Sequence, residues 1–389
     1  MAEELIIEPG RETQLDTVKG NLKVGDGATL IASKGTIIVT GNIVSRGSFV
    51  VEGSLEAGSV RCKNGSLEVE GDLKAAKYLS IDKRLAVEGN VTSPEIKVGG
   101  SISVEKDLQS SEVKAGGSLT VRGDAAIETA SAGGSMKVHG NSNIGTISVG
   151  GSVNLEGITE LDSLRVGGSG RVHEGKIGKV RIGGSFGASG KVEVESIDVG
   201  GTAKLESDAK VGSVSVGGTF KTGANLEFES ISVGGTVVIG GDGTGSDLSV
   251  GGTFGASGSV KLTGKLSVGG SIKIDGKVSA EEISVGGSFR SAFAKAKYFK
   301  IGRRGTVYGP VQADKLILSE RATAEDLYGE EIIIEERARA RNVYGESIFI
   351  EEKARVTGNI EYTDELSAES GAELSKEPKK VKAINYPDF

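Results

Sequence analysis

Short pairs of apolar residues, separated by a single intervening residue, recur through most of the chain. Between residues 248 and 262 three such pairs follow one another within one period. They are Leu248 and Val250, Phe254 and Ala256, and Val260 and Leu262. This spacing is typical of a strand with one buried face, and each pair begins about six residues after the last. The pattern therefore predicts three short strands per period.

A Gly-Gly pair marks each period in the central part of the chain. Its first glycine falls at positions 99, 116, 133, 150, 167, 183, 200, 217, 234, 251, 269 and 286. A step this constant, of about 17 residues, is the sequence signature of a solenoid. We therefore predict an all-β fold, a single-stranded parallel β-helix (β-solenoid) with triangular coils of about 17 residues. Successive coils pair as parallel strands about 4.8 Å apart.

The Gly-Gly pair is predicted to lie at the corner between the first and second strands of a coil. A tight corner commonly needs a left-handed φ, which glycine adopts without steric cost. Ser or Thr follows each pair, and the stacked hydroxyls are expected to hydrogen-bond along the ladder. Three positions after the first glycine, Phe186, Phe220, Phe254 and Phe289 alternate with smaller residues. This alternation predicts a filled core.

The repeat changes character along the chain and divides it into five segments. We predict an N-terminal segment or capping strand at 1–14, coils of an 18-residue type at 15–95, Gly-Gly-rich coils at 96–290, charged coils at 291–374 and a flexible tail at 375–389. In the charged coils the period places glutamates in one column and basic residues in the next, so that opposite charges offset the repulsion within each column. The columns are Glu320, Glu336 and Glu352, and Arg321, Arg337 and Lys353.

Composition narrows the class of protein further. The net charge of −7 disfavours nucleic acid as the main partner, and a single cysteine excludes an intrachain disulfide. The N-terminus has no basic region followed by an apolar run, and no stretch approaches the length of a membrane span. We expect a soluble, cytoplasmic protein, with membrane association through the tail as an alternative.

Residues for catalysis or metal binding are sparse. The two histidines, His139 and His173, are expected two coils apart, which is too far to share a metal ion. The segment GGDGTGSDL at 240–248 resembles a calcium-binding repeat, but it occurs once, so we expect a polar corner. The six-residue steps and histidine loop of hexapeptide acyltransferases, and the long excursions of pectate-lyase-like enzymes, are missing. We predict no catalytic, cofactor or metal site, and no enzyme.

The segment from about 300 to 362 resembles the bactofilins, a family of polymer-forming cytoskeletal β-helices. The similar residues are GRRGTVYGPVQADKLILSERATAEDL and IFIEEKARVTGNIEY. The resemblance implies a cytoplasmic protein that polymerises end to end without nucleotide and scaffolds other proteins or a membrane. The chain differs from the usual member in its longer β-helix and in its glycine-rich central block.

The physics of a β-helix supports assembly independently, because unpaired strand edges at its two ends can pair with another chain. We expect the assembly interface at Leu5, Ile6 and Ile7 near one end and at Ile360, Tyr362 and Leu366 near the other. The leading hypothesis is a self-assembling cytoskeletal or scaffold protein that forms homopolymers. The alternative is a non-polymerising scaffold or adhesin-like binding rod that binds a membrane surface or a protein client through its C-terminal coils and tail. Under the leading hypothesis an Ile360→Lys substitution is expected to abolish filaments, and under the alternative it is expected to leave partner binding intact.

Overall fold

The computed structural model describes residues 4–388 and consists of β-strands, turns and bends, with no helix in that range. The strands stack in parallel as a β-solenoid of about 22 turns with about 17 residues per turn. The predicted all-β parallel solenoid is therefore confirmed. The chain divides into two compact units, Met1–Glu193 and Val194–Phe389.

The first unit contains 21 strands in full. They are β1 (Glu4–Ile7), β2 (Glu12–Leu15), β3 (Thr17–Val18), β4 (Asn21–Val24), β5 (Ala28–Ser45), β6 (Phe49–Cys62), β7 (Leu67–Val69), β8 (Leu73–Ala75), β9 (Tyr78–Ile81), β10 (Arg84–Val87), β11 (Val91–Thr92), β12 (Glu95–Val98), β13 (Ser101–Val104), β14 (Leu108–Ala115), β15 (Leu119–Val121), β16 (Ala125–Ala132), β17 (Ser135–Val138), β18 (Ser142–Val149), β19 (Ser152–Val166), β20 (Ser169–Ile182) and β21 (Ser185–Ala188). The boundary between the units lies within β22 (Val192–Val199).

The second unit contains the remaining strands. They are β23 (Thr202–Leu205), β24 (Ala209–Val216), β25 (Thr219–Thr222), β26 (Leu226–Val233), β27 (Thr236–Ile239), β28 (Gly243–Gly245), β29 (Asp247–Val250), β30 (Thr253–Ala256), β31 (Val260–Leu262), β32 (Lys265–Val268), β33 (Ile272–Ile274), β34 (Lys277–Ser279), β35 (Glu282–Val285), β36 (Ser288–Arg290), β37 (Phe293–Ile301), β38 (Thr306–Tyr308), β39 (Val311–Leu318), β40 (Thr323–Ile334), β41 (Arg339–Ile350), β42 (Arg355–Val356), β43 (Ile360–Ala368), β44 (Glu373–Leu374) and β45 (Lys379–Lys380).

Each coil has three strand positions, which we name from the Gly-Gly corner. In the coil of Gly251 the pre-corner strand is β29, the post-corner strand is β30 and the middle strand is β31. Each strand pairs in parallel with the corresponding strand of the neighbouring coil; β30, for example, lies between β27 and β33. Some longer strands run through two positions. In most strands the residues that point inward are buried and those between them are more exposed, so that apolar side chains fill the interior from all three sides.

The column of alternating large and small core residues is present as predicted. Val237 pairs with Phe254, Phe254 with Ile272, and Ile272 with Phe289, and all four side chains are buried. Phe289 also meets Phe299 edge to face, with ring centroids 5.2 Å apart. An aliphatic side chain between two rings lets each ring pack within the spacing of the coils, which explains the alternation.

The prediction that the Gly-Gly pairs supply a left-handed φ at the corner is wrong. No paired glycine within residues 4–388 has a left-handed φ. Instead, a Cβ on Gly251 would lie 2.5 Å from the carbonyl oxygen of Gly234, and one on Gly252 would lie 2.4 Å from that of Gly235. The corner backbones of successive coils thus approach so closely that no side chain fits between them.

The predicted hydroxyl ladder is present at two steps. Thr236 Oγ1 lies 3.1 Å from Thr253 Oγ1, and the Ser288 hydroxyl donates to that of Ser271 at 2.8 Å. These hydrogen bonds join successive coils beside the close-packed glycine corner. They give partners to hydroxyl groups that the stacking of the coils places next to one another.

Candidate assembly surfaces at the terminal coils

The N-terminal coil exposes unpaired strand edges. Within residues 4–388, β1 pairs only with β4, and β2 and β3 pair only with β5. Leu5 and Ile7 are opposite Leu22 and Val24, two core residues of the next coil. Both side chains therefore belong to the inner face of the first layer, and the outer backbone edge of this layer is open to another strand.

The three residues predicted at this end differ in exposure. Leu5 is 39% exposed, although it faces the interior, because no other strand of the described residues covers it from outside. Ile6 points outward and is 56% exposed, whereas Ile7 is only 5% exposed. Glu4 forms an ion pair with Lys23 of the next coil at 2.8 Å. Leu5 and Ile6 are thus accessible to a partner, and Ile7 offers mainly its backbone.

The C-terminal coil ends in three strand edges of the same kind. The pre-corner part of β43 pairs with β41, and its Leu366 and Ala368 are opposite Ile348 and Ile350. Beyond it, β44 pairs with β42 and β45 pairs with the start of β43. In the described residues no further strand covers these edges, which form the last layer.

Two of the residues predicted at this end lie one layer deeper than expected. Ile360 is 1% exposed, and Tyr362 is opposite Lys380, whose ammonium group lies 5.9 Å from the centre of the tyrosine ring. Leu366 lies in the last layer itself and is half-buried. Leu374 of β44, also half-buried, is a second leucine of this last layer, and the sequence reasoning did not select it.

The C-terminal tail continues the ladder before it turns away. The N–H of Val381 donates to the carbonyl oxygen of Tyr362 at 2.8 Å, and Lys376 Nζ donates to Asn359 Oδ1 at 2.8 Å. Farther on, burial and the nearby carboxylates of Glu346, Glu330 and Asp314 raise the pKa of Tyr386. These carboxylates belong to earlier coils, so the tail runs back along the solenoid. Phe389 lies outside the described residues.

The corners of the charged coils have a different construction from the Gly-Gly corners. Arg304, Arg321, Arg337 and Lys353 each adopt a left-handed φ, between 57° and 59°. The turn closes by backbone hydrogen bonds such as that from Ala338 N–H to Glu335 O, at 3.0 Å. Glutamates of the following coil also accept from these turns: the N–H of Glu336 donates to Glu351 Oε2 at 2.8 Å.

The predicted ion pairs between adjacent charged columns are confirmed. Arg321 Nε lies 3.5 Å from Glu320 Oε1, Arg337 lies 3.2 Å from Glu336, and Lys353 contacts Glu352. These pairs are largely exposed, and ion pairs of this kind contribute little to stability. The stronger feature is Asp326, which accepts hydrogen bonds from Arg341 and Asn342, and the pKa of its carboxyl group is held below the ordinary value chiefly by Arg341.

A ladder of Asp and Asn side chains lines a second corner, and the sequence reasoning missed it. Each Oδ1 accepts the backbone N–H of the next coil, as from Asp124 to Asp107 at 2.8 Å and from Asn141 to Asp124 at 2.7 Å. Asp242, in the segment considered for calcium, belongs to the same pattern and accepts from Ser259 N–H at 2.7 Å. The recurrence of Asp or Asn every 17 residues was the available signal.

Groups that could perform chemistry do not converge. His139 pairs with Glu156 and His173 with Ser189, in separate contacts. Cys62 is buried against the carbonyl oxygen of Gly47, and burial raises the pKa of its thiol to about 11. Among residues 4–388 no cluster of three or more His, Cys, Asp or Glu side chains is arranged to hold a metal ion. No helix that could cross a membrane occurs in the same range.

These features define a parallel β-solenoid with open strand edges at its terminal coils. A fold of this kind is typical of a protein with a structural role. Residues 230–326 match the family model of the bactofilins, described as polymer-forming cytoskeletal proteins. The match covers about a quarter of the chain, and the bactofilin-like character predicted from the sequence is confirmed there. The match begins earlier than the segment of about 300 to 362 that resembles the family in sequence, ends within that segment, and includes Gly-Gly coils. No curated protein and no solved structure matches the chain.

Proposed function

We propose that this protein is a cytoplasmic structural protein that assembles end to end into homopolymeric filaments without nucleotide. The observation that carries the proposal is the open layer at each terminal coil, where Leu5 and Leu366 face the interior without a covering layer. The family match of residues 230–326 supports the same role, since its description is that of polymer-forming cytoskeletal proteins.

The physical basis is the pairing of strand edges. Every coil inside the solenoid gains backbone hydrogen bonds from both neighbours, whereas the first and last layers gain them from one side only. Stacking a second protomer on such a layer adds three strands of parallel pairing and covers the apolar side chains beneath. Side-chain burial adds about 25 cal/mol for each Å² of apolar surface removed from water.

A substitution in the last layer tests this proposal. Leu366→Lys places a charge among the apolar residues of the terminal surface, so filaments should no longer sediment in an ultracentrifuge. Ser284→Lys is the matched control, because Ser284 lies on the outer surface of β35 away from both terminal layers. Equal sedimentation of the Leu366→Lys protein, with its thermal unfolding unchanged, would contradict end-to-end assembly. The Ile360→Lys variant is unsuitable, because Ile360 is buried and the charge would destabilise the fold.

The alternative of a binding scaffold rests on the lysines of the tail. Lys379 and Lys382 are exposed on the C-terminal segment and could contact an anionic membrane or an acidic client protein. Co-sedimentation of the protein with vesicles containing phosphatidylserine tests the membrane case. Binding that is lost in a Lys379→Glu/Lys382→Glu variant, in a protein that forms no filaments, would favour the scaffold over the polymer.

A further inference from the structure

Three successive coils carry apolar side chains on the outer face of the solenoid. In the pre-corner parts of β39, β40 and β41, Ile317, Ile333 and Phe349 point outward along one column, which we call the apolar strip. The residues on either side of each point inward and belong to the core, so these strands are apolar on both faces. Lys300 and Ser367 occupy the same column before and after the strip. Strands that are apolar on both faces are typical of sheets with a covering layer on each side.

The C-terminal tail reaches this face from the last layer. The N–H of Val381 donates to the carbonyl oxygen of Tyr362 at 2.8 Å, and the Lys380 ammonium group donates to the carbonyl oxygen of Asp364 at 3.1 Å. Five residues after Val381, the Tyr386 side chain lies near the carboxylates that precede the strip residues by three positions, Asp314, Glu330 and Glu346. The tail therefore crosses the coils of all three strip residues, where their pre-corner strands begin.

The tail has one covered side. Val381, Ile384 and Pro387 are half-buried, whereas the four residues between them are exposed. An extended segment with three residues per turn advances about 9.3 Å per turn, and two coils of the solenoid advance about 9.6 Å. Apolar residues at this interval therefore keep in step with the coils, so that one side of the tail can face the solenoid along its length.

The charges of the tail and of this face are complementary. Asp314, Glu330 and Glu346 form an acidic column beside the apolar strip, and none of them is in an ion pair within the part of the chain that the structure describes. Lys315, next to Asp314 in sequence, pairs with Glu331 instead. The segment that reaches this column is basic at its start, with Lys379, Lys380 and Lys382. Opposite charges at the margin of an apolar contact orient a bound segment and disfavour segments of the wrong charge.

We propose that this face is a binding site for an extended segment of a partner protein, one that carries lysines and an apolar residue at every third position. The C-terminal tail fills the site in cis as a built-in competitor, so that a partner binds only when it displaces the tail. A tethered segment acts at an effective concentration in the millimolar range, which excludes weakly binding segments. The inference is independent of end-to-end assembly, because the site lies on the side of the solenoid.

Binding of a tail peptide to the full-length chain tests this proposal. The probe is a fluorescein-labelled peptide with the sequence of residues 375–389, and fluorescence anisotropy measures its Kd. Ile384→Asp should release the tail in cis, because a carboxylate replaces a half-buried apolar side chain beside the acidic column. If the tail fills the site for about 90% of the time, its release lowers the apparent Kd about ten-fold. Asn385→Asp adds the same charge at an exposed position and should change the Kd far less.

Variants of the face show where the peptide binds. Added to Ile384→Asp, Ile333→Asp should abolish peptide binding, whereas Ser284→Asp, in the same outward column but outside the strip, should leave it unchanged. Lys300 occupies this column in the native chain, so a charged side chain is compatible with the fold there. Glu330→Lys, at an exposed position, should weaken binding as well and tests the acidic column without altering the apolar strip.

Three results of the peptide experiment would overturn the proposal. They are no binding to the Ile384→Asp protein, equal affinity for this protein and the wild type, and binding that survives both Ile333→Asp and Glu330→Lys. Sedimentation velocity without peptide, in the Leu366→Lys background to prevent end-to-end assembly, tests a second copy as the occupant. A dimer that Ile384→Asp creates and Ile333→Asp removes would show that a second copy covers the strip, and it would overturn the assignment to a partner segment.

Discussion

At the scale of single residues, the Gly-Gly pair recurs in each coil because the backbones of successive coils pack too closely there for a side chain. A Cβ at Gly116 would lie only 1.9 Å from the carbonyl oxygen of Gly99, and equivalent contacts recur at the other pairs. Backbone atoms cannot move aside as a flexible side chain can, so each pair fixes how closely two coils approach. This role differs from the left-handed turn expected from sequence, which the observed φ values contradict.

A pair of alanine substitutions in one coil tests this role. Gly251→Ala should destabilise the protein by about 1–3 kcal/mol, because its methyl group would overlap Gly234 O at 2.5 Å. Gly255→Ala is the control, since its nearest atom would be Lys273 O at 3.8 Å, ordinary van der Waals contact. Urea unfolding of both variants measures the difference. Equal stability of the two would contradict the close-packing account.

The Asp326 carboxylate gives the second prediction at this scale. Arg341 and Asn342 donate to it and hold its pKa below the ordinary value of 3.8. A lowered folded-state pKa contributes stability above the unfolded pKa, and this contribution is lost as the pH falls through the folded pKa. Asp326→Asn should therefore cost at most about 1 kcal/mol at pH 7, because the Arg341 side chain of the pair is exposed to solvent.

The pH dependence of stability separates the loss of the Asp326 ion pair from a general destabilisation of the fold by the substitution. The difference in unfolding free energy between wild type and Asp326→Asn should shrink as the pH falls below about 4, where the carboxyl group gains its proton in the unfolded chain, and it should vanish below the lowered pKa of the folded state. Chemical denaturation at a series of pH values measures it. A difference that stays constant down to pH 2 would show that the loss at pH 7 does not come from the ion pair.

At the scale of elements, the solenoid builds the same corner in two ways. Most coils from residue 99 to 287 use Gly-Gly, whereas the coils after Gly302 use a longer turn with a left-handed residue such as Arg337. The longer turn carries charged side chains, and its backbone N–H groups donate hydrogen bonds to glutamates of the next coil. Both kinds of corner connect the pre-corner strand to the post-corner strand. The Gly-Gly corners are held by close backbone contact, and the corners of the charged coils are held by side-chain hydrogen bonds.

Substitutions at Arg337 test the second design. Arg337→Gly should be at least as stable as wild type, because glycine adopts a φ of 59° without strain. Arg337→Val should be less stable than Arg337→Gly by about 1–2 kcal/mol, because a β-branched residue resists this conformation. Both variants lose the same ion pair with Glu336, so their difference isolates the backbone effect. Arg339→Val, in extended backbone of β41, should show little loss; thermal unfolding compares all three.

The repeat made most of the solenoid predictable, and the exceptions have physical reasons. The apolar pairs and the Gly-Gly spacing predict where the strands lie. They do not show whether glycine is needed for a left-handed φ or because two backbones leave no room for a side chain. The Asp and Asn ladder was not predicted because other residue types, such as Ile158 and Ser259, interrupt its column. The depth of Ile360 could not be foreseen, since β44 and β45 carry few apolar residues and still add another layer.

At the scale of the whole molecule, the charge of the end surfaces governs how readily copies associate. Exposed glutamates lie on the outermost strands at both ends, so end-to-end stacking brings like charges together; they are Glu4 and Glu12 at the N-terminal end and Glu365 and Glu373 at the C-terminal end. Like charges directly opposite each other oppose pairing, and salt screens them. The junction is thus apolar inside and repulsive at its margin.

This arrangement predicts a dependence on ionic strength. Raising the salt concentration from about 20 to about 300 mM should lower the critical concentration for assembly several-fold, because the Debye length shortens well below 10 Å. Glu365→Lys should lower it at low salt and largely remove the salt dependence, whereas Glu160→Lys, in the interior of β19, should not. Light scattering over a concentration series measures the critical concentration. A critical concentration that rises with salt would contradict the repulsive margin.

The central claim is that the open terminal layers make this solenoid a filament subunit. Negative-stain electron microscopy of the purified, untagged protein, at micromolar concentrations and two salt levels without nucleotide, tests it most directly. The account predicts unbranched filaments that lengthen with protein concentration and are absent from the Leu366→Lys sample. Discrete particles of one size at every concentration and both salt levels would contradict it.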